Sequence, residues 1–274
     1  MRISRRQTVA SLASITGFSV IPAGATQNDP TPAAREIGID KRVQELLRNG
    51  KEEVAHSLLE KHSINYASTS DVYKSAFEGY HGKGGVSTSD VWIRDEARAT
   101  FTAWNVSDNL YHATLAWTLD GRSNDVDAAI PWDGAMIGWE DSTWSFEPDS
   151  PTLIVLNEFG DGTTNSATAS IQNRPLFDAP TNAIGARVGD GEADSVTRGD
   201  TKMRGSLEVE LTKERNSEAT IGGKYTHTWT FGLGQNGVSF TGAKNGIGIG
   251  LTLPLGRNDK WTIPKDPSDR YIKL

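Results

Sequence analysis

The side chains able to do chemistry fall into three groups, and each lacks part of what its chemistry needs. Asp120, Asn124, Asp125 and Asp127 put four oxygen donors close together, and closely spaced hard oxygens are what calcium takes. Asp190, Glu192 and Asp194 form a second such group. Neither has the EF-hand spacing, so the plain reading of both is a solvated acidic loop, with calcium as the metal that would suit 120–127. Glu140, Asp141, Glu147 and Glu158 lie near Trp132, Trp139 and Trp144. A carboxylate pair beside tryptophan is the material of glycoside cleavage, but these tryptophans fall at strand spacing, which assigns them to a core. The histidines, His56, His62, His81, His112 and His227, include no His-Glu-x-x-His pair, so no zinc ligand set is formed. His227 shares the aromatic face of its strand and reads as a hydrogen-bonded core histidine. There is no cysteine and no Gly-x-Ser-x-Gly elbow, hence no thiol or elbow nucleophile. His81-Gly-Lys-Gly-Gly85 lacks P-loop spacing and reads as a flexible connection. No catalytic residue and no cofactor is assigned.

The elements that would position these groups are strands. In 205–254, Tyr225, His227, Trp229, Phe231 and Leu233 alternate with Thr226, Thr228, Thr230 and Gly232. A period of two puts the aromatics against a core and the threonines toward solvent. Leu207, Val209 and Leu211 alternate in the same way with Glu208, Glu210 and Thr212, and the polar stretch 213–218 lies between. The two runs read as one long antiparallel hairpin. A further hairpin turns at Asn245-Gly246, a pair suited to type I′ geometry. Residues 97–106 and 110–119 form another, with Ser107-Asp-Asn109 as its turn and Asn105-Val-Ser107 as a glycosylation acceptor pattern on it. Shorter strands are expected at 135–139, 143–146 and 183–188, a buried strand at 152–156, and an edge strand in the tail from Trp261. Residues 120–127 and 157–181 read as connections. Strands recur with no helix between them and no internal repeat, which points to an all-β fold, an antiparallel β-sandwich.

Ahead of the strands, Val43, Leu46 and Leu47, then Val54, Ala55, Leu58 and Leu59, keep helical spacing, with Asn49-Gly50 between them. They make a short helical hairpin. The expected layout is a signal over 1–25, a linker over 26–38, the helical hairpin over 39–66, a loop-rich connection over 67–96 and an antiparallel β-domain over 97–274.

Arg5-Arg6 precede a weakly apolar run ending at Pro22, and Ala23-Gly-Ala25 supplies a small-residue cleavage site. The order is that of an export signal, and the paired arginines have the form of the twin-arginine type, with Thr8 where that pattern carries an apolar residue. Such a chain meets the twin-arginine export machinery transiently and leaves the cell folded. The formal charge is −7 over 274 residues. Residues 1–25 hold three arginines and no acid, so the remainder is more acidic still. A nucleic-acid partner is not expected of an acidic chain. Without cysteine, stability must come from core burial.

The twin-arginine start, the helix pair ending Leu58-Leu-Glu-Lys-His-Ser-Ile-Asn-Tyr66, and Gly223-Lys-Tyr-Thr-His-Thr-Trp229 with its glycine-rich sequel together resemble uncharacterised twin-arginine-exported proteins of halophilic archaea. The resemblance implies a salty extracellular setting and no activity or substrate. The functional expectation is a secreted or surface-associated, non-catalytic binding module. Two alternatives stand beside it. One is a membrane-acting, pore-forming or antimicrobial protein, for which 225–253 has the texture of an amphipathic hairpin. The other is an extracellular hydrolase.

Overall fold

The computed structural model describes residues 32–73, 93–122, 133–159, 164–170, 177–178, 182–188, 201–230, 239–242, 249–252, 258–264 and 270–274. The period-two stretches form strands, and the strands build two antiparallel sheets. The first sheet runs β1 (Tyr66–Tyr73), β2 (Ile93–Ser107), β3 (Leu110–Arg122), β10 (Thr201–Lys213), β6 (Thr152–Phe159), β7 (Thr164–Ser170), and β5 (Trp144–Phe146) also pairs with β10. The second runs β14 (Asn258–Ile263), β11 (Thr220–Thr230), β4 (Asp133–Trp139), β9 (Ala183–Val188), β8 (Phe177–Asp178), with β15 (Tyr271–Lys273) on β11. A separate ribbon pairs β12 (Ser239–Gly242) with β13 (Ile249–Thr252). The fold is a β-sandwich with two short N-terminal helices, α1 (Asp40–Arg48) and α2 (Glu52–Lys61).

The alternation predicts the inner faces correctly. Phe101, Leu115, Trp117, Leu207, Val209, Leu211, Ile137 and Tyr225 are buried in one cluster between the sheets. Trp117 of β3 stacks on Tyr225 of β11 with ring centroids 4.8 Å apart, joining the two sheets. Glycine makes room for this contact. Gly205 lies opposite Trp117 in the register, and a Cβ there would stand 2.1 Å from the indole. Gly223 lies in the same way under Phe101, 2.6 Å from where its Cβ would be.

The second face of the first sheet is covered by the helices. Val43, Leu46, Leu47, Ala55 and Leu59 pack onto Trp104, Val106 and Ala116, the outward-facing residues of β2 and β3. Gly50 ends the first helix with φ +66°, the left-handed conformation that suits a helix C-terminus. Val54 of the apolar spacing is 54% exposed, because the buried stripe of α2 is only as wide as Ala55 and Leu59 require.

Five expectations are corrected. Strands β10 and β11 are not a hairpin. Both edges of β10 are taken by β3 and by β6 with β5, and β11 is paired with β4, β14 and β15. The polar stretch between them therefore carries the chain across from one sheet to the other. The 26–38 segment is no free linker over its described part. Ala33 and Ala34 are buried, and Ala34 N–H donates to the Asn105 carbonyl at 3.2 Å. Residues 67–96 contain most of β1 and the start of β2, and 157–181 contain β7. Finally, β6 is not buried on both faces. Leu153 and Val155 are buried, while Thr152, Ile154 and Leu156 are half-buried.

The 135–139, 143–146 and 183–188 strands, the 97–119 hairpin and a tail strand at Trp261 all form as expected. Arg5, Arg6, Ala23 and Ala25, the 189–200 acidic loop and the Asn245-Gly246 turn lie outside the described residues.

Candidate functional site

The outer face of β3 and β10 carries an unexpected group. Register places Trp104 of β2 opposite His112 of β3, and His112 opposite Glu210 of β10. Glu208 sits two residues along on the same face. Alternation sends these side chains away from the sandwich core. The helical hairpin then buries them a second time, leaving Glu208 only 2% and His112 6% exposed.

A buried carboxylate needs partners, and α1 brings them. Arg48 grips Glu208 with both arms of its guanidinium, Nε to Oε1 and Nη2 to Oε2, each at 2.6 Å. The Ser206 hydroxyl donates to Oε1 at 2.7 Å. Arg48 also donates to Gln44 Oε1 at 3.2 Å, and the Gln44 amide lies 3.5 Å from His112 Nδ1. Just before α1, Arg35 bridges Glu210 and Asp40, the latter at 3.2 Å. Asp40 in turn accepts from the Trp104 indole N–H at 3.0 Å. Trp104 stacks on His112 with centroids 4.7 Å apart. Three cations and three carboxylates thus bind the helical hairpin to the middle of the sheet.

The environment fixes their charges. Burial alone would lower the His112 pKa, but contact with Glu208 and Glu210, with Asp40 beyond them, raises it to about 9. Burial would raise the Glu208 carboxyl, but Arg48 and then His112 hold it at about 2. His112 first, opposed by burial, and then Arg35 hold Glu210 at about 2 as well. His112 Nε2 lies 3.5 Å from Glu208 Oε2, an ion pair too long for a hydrogen bond, and it has no hydrogen-bond partner.

This group forms one side of an open cleft of about 540 Å³. Gln44 and Arg48 of α1, Leu110 and His112 of β3, and Glu208 and Glu210 of β10 line it. The opposite wall is the β5–β6 connection, Glu147 to Ser150. That loop is pinned to β10. Glu147 N–H donates to the Glu210 carbonyl at 3.0 Å, the Glu210 N–H to Ser150 Oγ at 2.9 Å, and the Thr212 hydroxyl to Glu147 Oε1 at 2.7 Å.

Of the residues singled out from sequence, the structure brings Glu147 and His112 to this cleft. Asp120 stands on β3 opposite Lys202, on a strand where a loop is expected. Asn124, Asp125 and Asp127 lie outside the described residues. Among those described, no group of His, Asp and Glu is arranged to hold a metal. Trp139 and Trp144 are buried in the core and offer no sugar-binding face. Glu158 pairs with Arg204 at 3.4 Å, away from the cleft. His56 is held beneath α2 against Thr102 Oγ1 at 3.1 Å. Asn105 is not a surface acceptor. It is buried, and its amide donates to the carbonyls of Asp108 at 2.7 Å and Leu110 at 3.3 Å, so the glycosylation pattern is sequestered in the fold. The threonine face of β11 is also not open to solvent at Thr226, which is buried. The His227 side chain lies outside the description.

Sequence reading missed Arg35, Asp40, Gln44, Arg48, Glu208 and Glu210 as one group. The available signal was the pair of apolar helix stripes, which must cover some polar face of a sheet, together with a histidine and two glutamates on such faces.

No family model matches the chain, and no curated protein matches it. Among solved structures, the C-terminal domain of a Streptococcus agalactiae AgI/II polypeptide is similar at 6% identity and a TM-score of 0.26, over 47% of this chain and 53% of that one. The chain thus spans about half of that domain's length. The collagen-binding subdomain of an Enterococcus faecalis surface protein is similar at 11% identity and a TM-score of 0.28, over 57% of this chain and 86% of that one. The Staphylococcus aureus collagen adhesin is similar at 8% identity and a TM-score of 0.22, over 47% of this chain and 56% of that one. Overlaps this slight carry no argument about function. No helix among the described residues is long and apolar enough to cross a membrane.

Proposed function

We propose that the chain is an exported, surface-associated binding module that takes its ligand in the cleft between α1 and the β5–β6 connection and does no chemistry on it. The observation that carries this reading is the state of the cleft's buried charges. Glycoside cleavage needs one carboxyl group kept protonated as a general acid. Glu208 and Glu210 are both held ionised by cations, and His112 is held protonated by carboxylates. None of the three is poised to exchange a proton near neutral pH. Groups fixed in one charge state on rigid elements suit recognition. Export rests on Arg5-Arg6 and the small-residue stretch at Ala23–Ala25, and the salty exterior on the resemblance to archaeal exported proteins.

The test is to present the full chain with labelled oligosaccharides and with acidic, neutral and basic peptides, assaying both binding and product. Retention of one class without turnover supports the module. Released sugar or cleaved peptide overturns it in favour of a hydrolase.

A membrane-acting role draws on one feature, the β12–β13 ribbon, which among the described residues pairs with neither sheet. Liposome flotation with dye release, at high and low salt, tests it. Leakage abolished by Gly246→Glu and Gly248→Glu, with the sandwich still folded, would put the ribbon in the bilayer. Intact liposomes in both salts would retire that role.

A further inference from the structure

The helical hairpin is tied to the sandwich unevenly. Both of its ends are stitched to one short piece of β2. Ahead of α1, Ala34 N–H donates to the Asn105 carbonyl at 3.2 Å and Arg35 N–H to the Val106 carbonyl at 3.1 Å. After α2, Asn105 N–H donates to the Asn65 carbonyl at 2.9 Å, and Tyr66 stands opposite Trp104 in the β1–β2 register. Between these anchors, among the described residues, no main-chain hydrogen bond joins residues 39–63 to a strand. Side chains alone hold the helices down: Arg48 on Glu208, Asp40 on the Trp104 indole, Glu52 on Arg98 at 2.5 Å, His56 on Thr102, and the apolar stripe. Each joint between anchor and helix carries a left-handed residue, Gly38 at φ +77° and Ser63 at φ +55°. Nothing lies within 4 Å of where a Gly38 Cβ would stand. A hinge is made of a few such residues at the ends of elements. The covered face is also costly to keep dry. The Thr114 hydroxyl, beside Glu208 in the register, is fully buried and has no hydrogen-bond partner among the described residues. Water would satisfy it. Few main-chain ties and a polar load put an element at the low end of local stability.

We propose that α1 and α2 form a lid, which swings as one body about Gly38 and Ser63 while the anchors at Ala34 and Asn65 stay on β2, and which uncovers the Trp104–His112 face with both sheets intact. The two anchors meet at the same three residues of β2, Trp104 to Val106, so the lid has a closed base and lifts without pulling a strand from the sheet. Its release breaks side-chain contacts only. The motion is independent of whether the cleft holds a ligand. It does reach the cleft, because α1 supplies Gln44 and Arg48 to one wall, and each opening carries that wall away.

The chain has no cysteine, so a single introduced thiol reports opening. Ala55→Cys on α2 and Ala116→Cys on β3 place it on the two sides of the lid interface. Ala113→Cys places it between the sheets as a control. Each full chain is mixed with a thiol-reactive reagent under native conditions at several urea concentrations. The thiols at 55 and 116 are expected to react at one common rate, about tenfold or more faster than the thiol at 113. Their rates should depend less on urea, since opening exposes less surface than unfolding. Gly205→Ala, which crowds Trp117 between the sheets, should quicken the thiol at 113 about fivefold or more and leave those at 55 and 116 unchanged. Arg48→Met should quicken those two on the order of 100-fold. Equal rates and equal urea dependence at all three positions mean that the helices leave only with the whole fold, and overturn the lid. Reaction at only one of positions 55 and 116 means local fraying, and overturns it as well. Should a cysteine variant fail to fold, hydrogen exchange of the unaltered chain decides. Amides of Val43–Lys61 that share one opening free energy below that of the Ala34 and Asn105 amides support the lid. A residue-by-residue spread, or exchange in step with Asn105, overturns it.

Discussion

Replacing Arg48 by methionine tests whether the charged group under the helical hairpin is a clamp. The side chain keeps an unbranched apolar stem and loses both 2.6 Å bonds to Glu208. Glu208, 2% exposed, is then left with the Ser206 hydroxyl at 2.7 Å and His112 at 3.5 Å. Removing one partner of a buried ion pair costs about 3–5 kcal/mol. The surviving histidine places this case at the lower end, about 3 kcal/mol. For a chain of this size each kcal/mol moves the midpoint by about 2–4 °C, so Tm should fall by about 6–12 °C. The second half of the argument is the rescue. Arg48→Met with Glu208→Leu replaces the pair by apolar groups of similar bulk, a change that is often neutral for buried pairs. The double variant should recover about 2 kcal/mol relative to the sum of the singles. Urea denaturation at pH 7 and calorimetry on the four proteins of the cycle measure both quantities. A loss below about 0.5 kcal/mol in Arg48→Met, which is the level of an ordinary surface change, would refute the clamp. So would strict additivity in the double variant.

Three more outcomes follow from the same geometry. His112 is raised from 6.5 to about 9 in the folded state. Its contribution is complete below pH 6.5 and is lost as pH rises through 9, by about 3 kcal/mol at most. Glu208 and Glu210, lowered from 4.5 to about 2, contribute fully above pH 4.5 and lose their part as pH falls toward 2. Stability measured by urea at fixed salt should therefore be flat between those limits, and His112→Gln should flatten the alkaline limb and shrink the acid limb, since His112 helps hold both Glu210 and Glu208 low. Gly205→Ala drives a methyl to 2.1 Å from the Trp117 indole. Overpacking of that kind costs about 1–3 kcal/mol or more, and near-ultraviolet circular dichroism should report a displaced tryptophan. Trp104→Phe keeps the stack on His112 but removes the donor to Asp40. Loss of a bond to a charged group costs about 1.5–3 kcal/mol, and hydrogen exchange should quicken in α1 before it does in the inter-sheet core.

The inner half of this architecture can be read from period two alone, because apolar residues at Leu207, Val209, Leu211, Leu115 and Trp117 have only one way to turn. The outer half cannot. Glu208 and His112 obey the alternation and point away from the sandwich, and a polar residue on an outward face ordinarily meets water. What buries them is a helix pair from far earlier in the chain, and nothing in their own neighbourhoods records it. The apolar stripe of α1 shows that the helix covers something, without saying which sheet face. The β10–β11 assignment fails for a related reason. Alternation specifies that each run is a strand, but a short polar connection is as able to bridge two sheets as to turn back within one. Glycosylation at Asn105 reads as feasible because the pattern is local, whereas its burial comes from the turn that the amide itself ties.

The order in which the clamp's parts occur along the chain bears on how the molecule is made. Arg48 and Glu208 are 160 positions apart, and Arg35 and Glu210 are 175 apart. During synthesis the helical pair emerges first, its apolar stripe meets its partners when β2 and β3 follow, and Arg35 and Arg48 wait for theirs until β10 has been translated and paired between β3 and β6. Contacts of such separation are slow to close, and chaperones act on surfaces left open in that interval. A chain exported through a twin-arginine route would have to complete this late closure inside the cell. The docked helical layer is then the part of the molecule whose arrival marks it as finished.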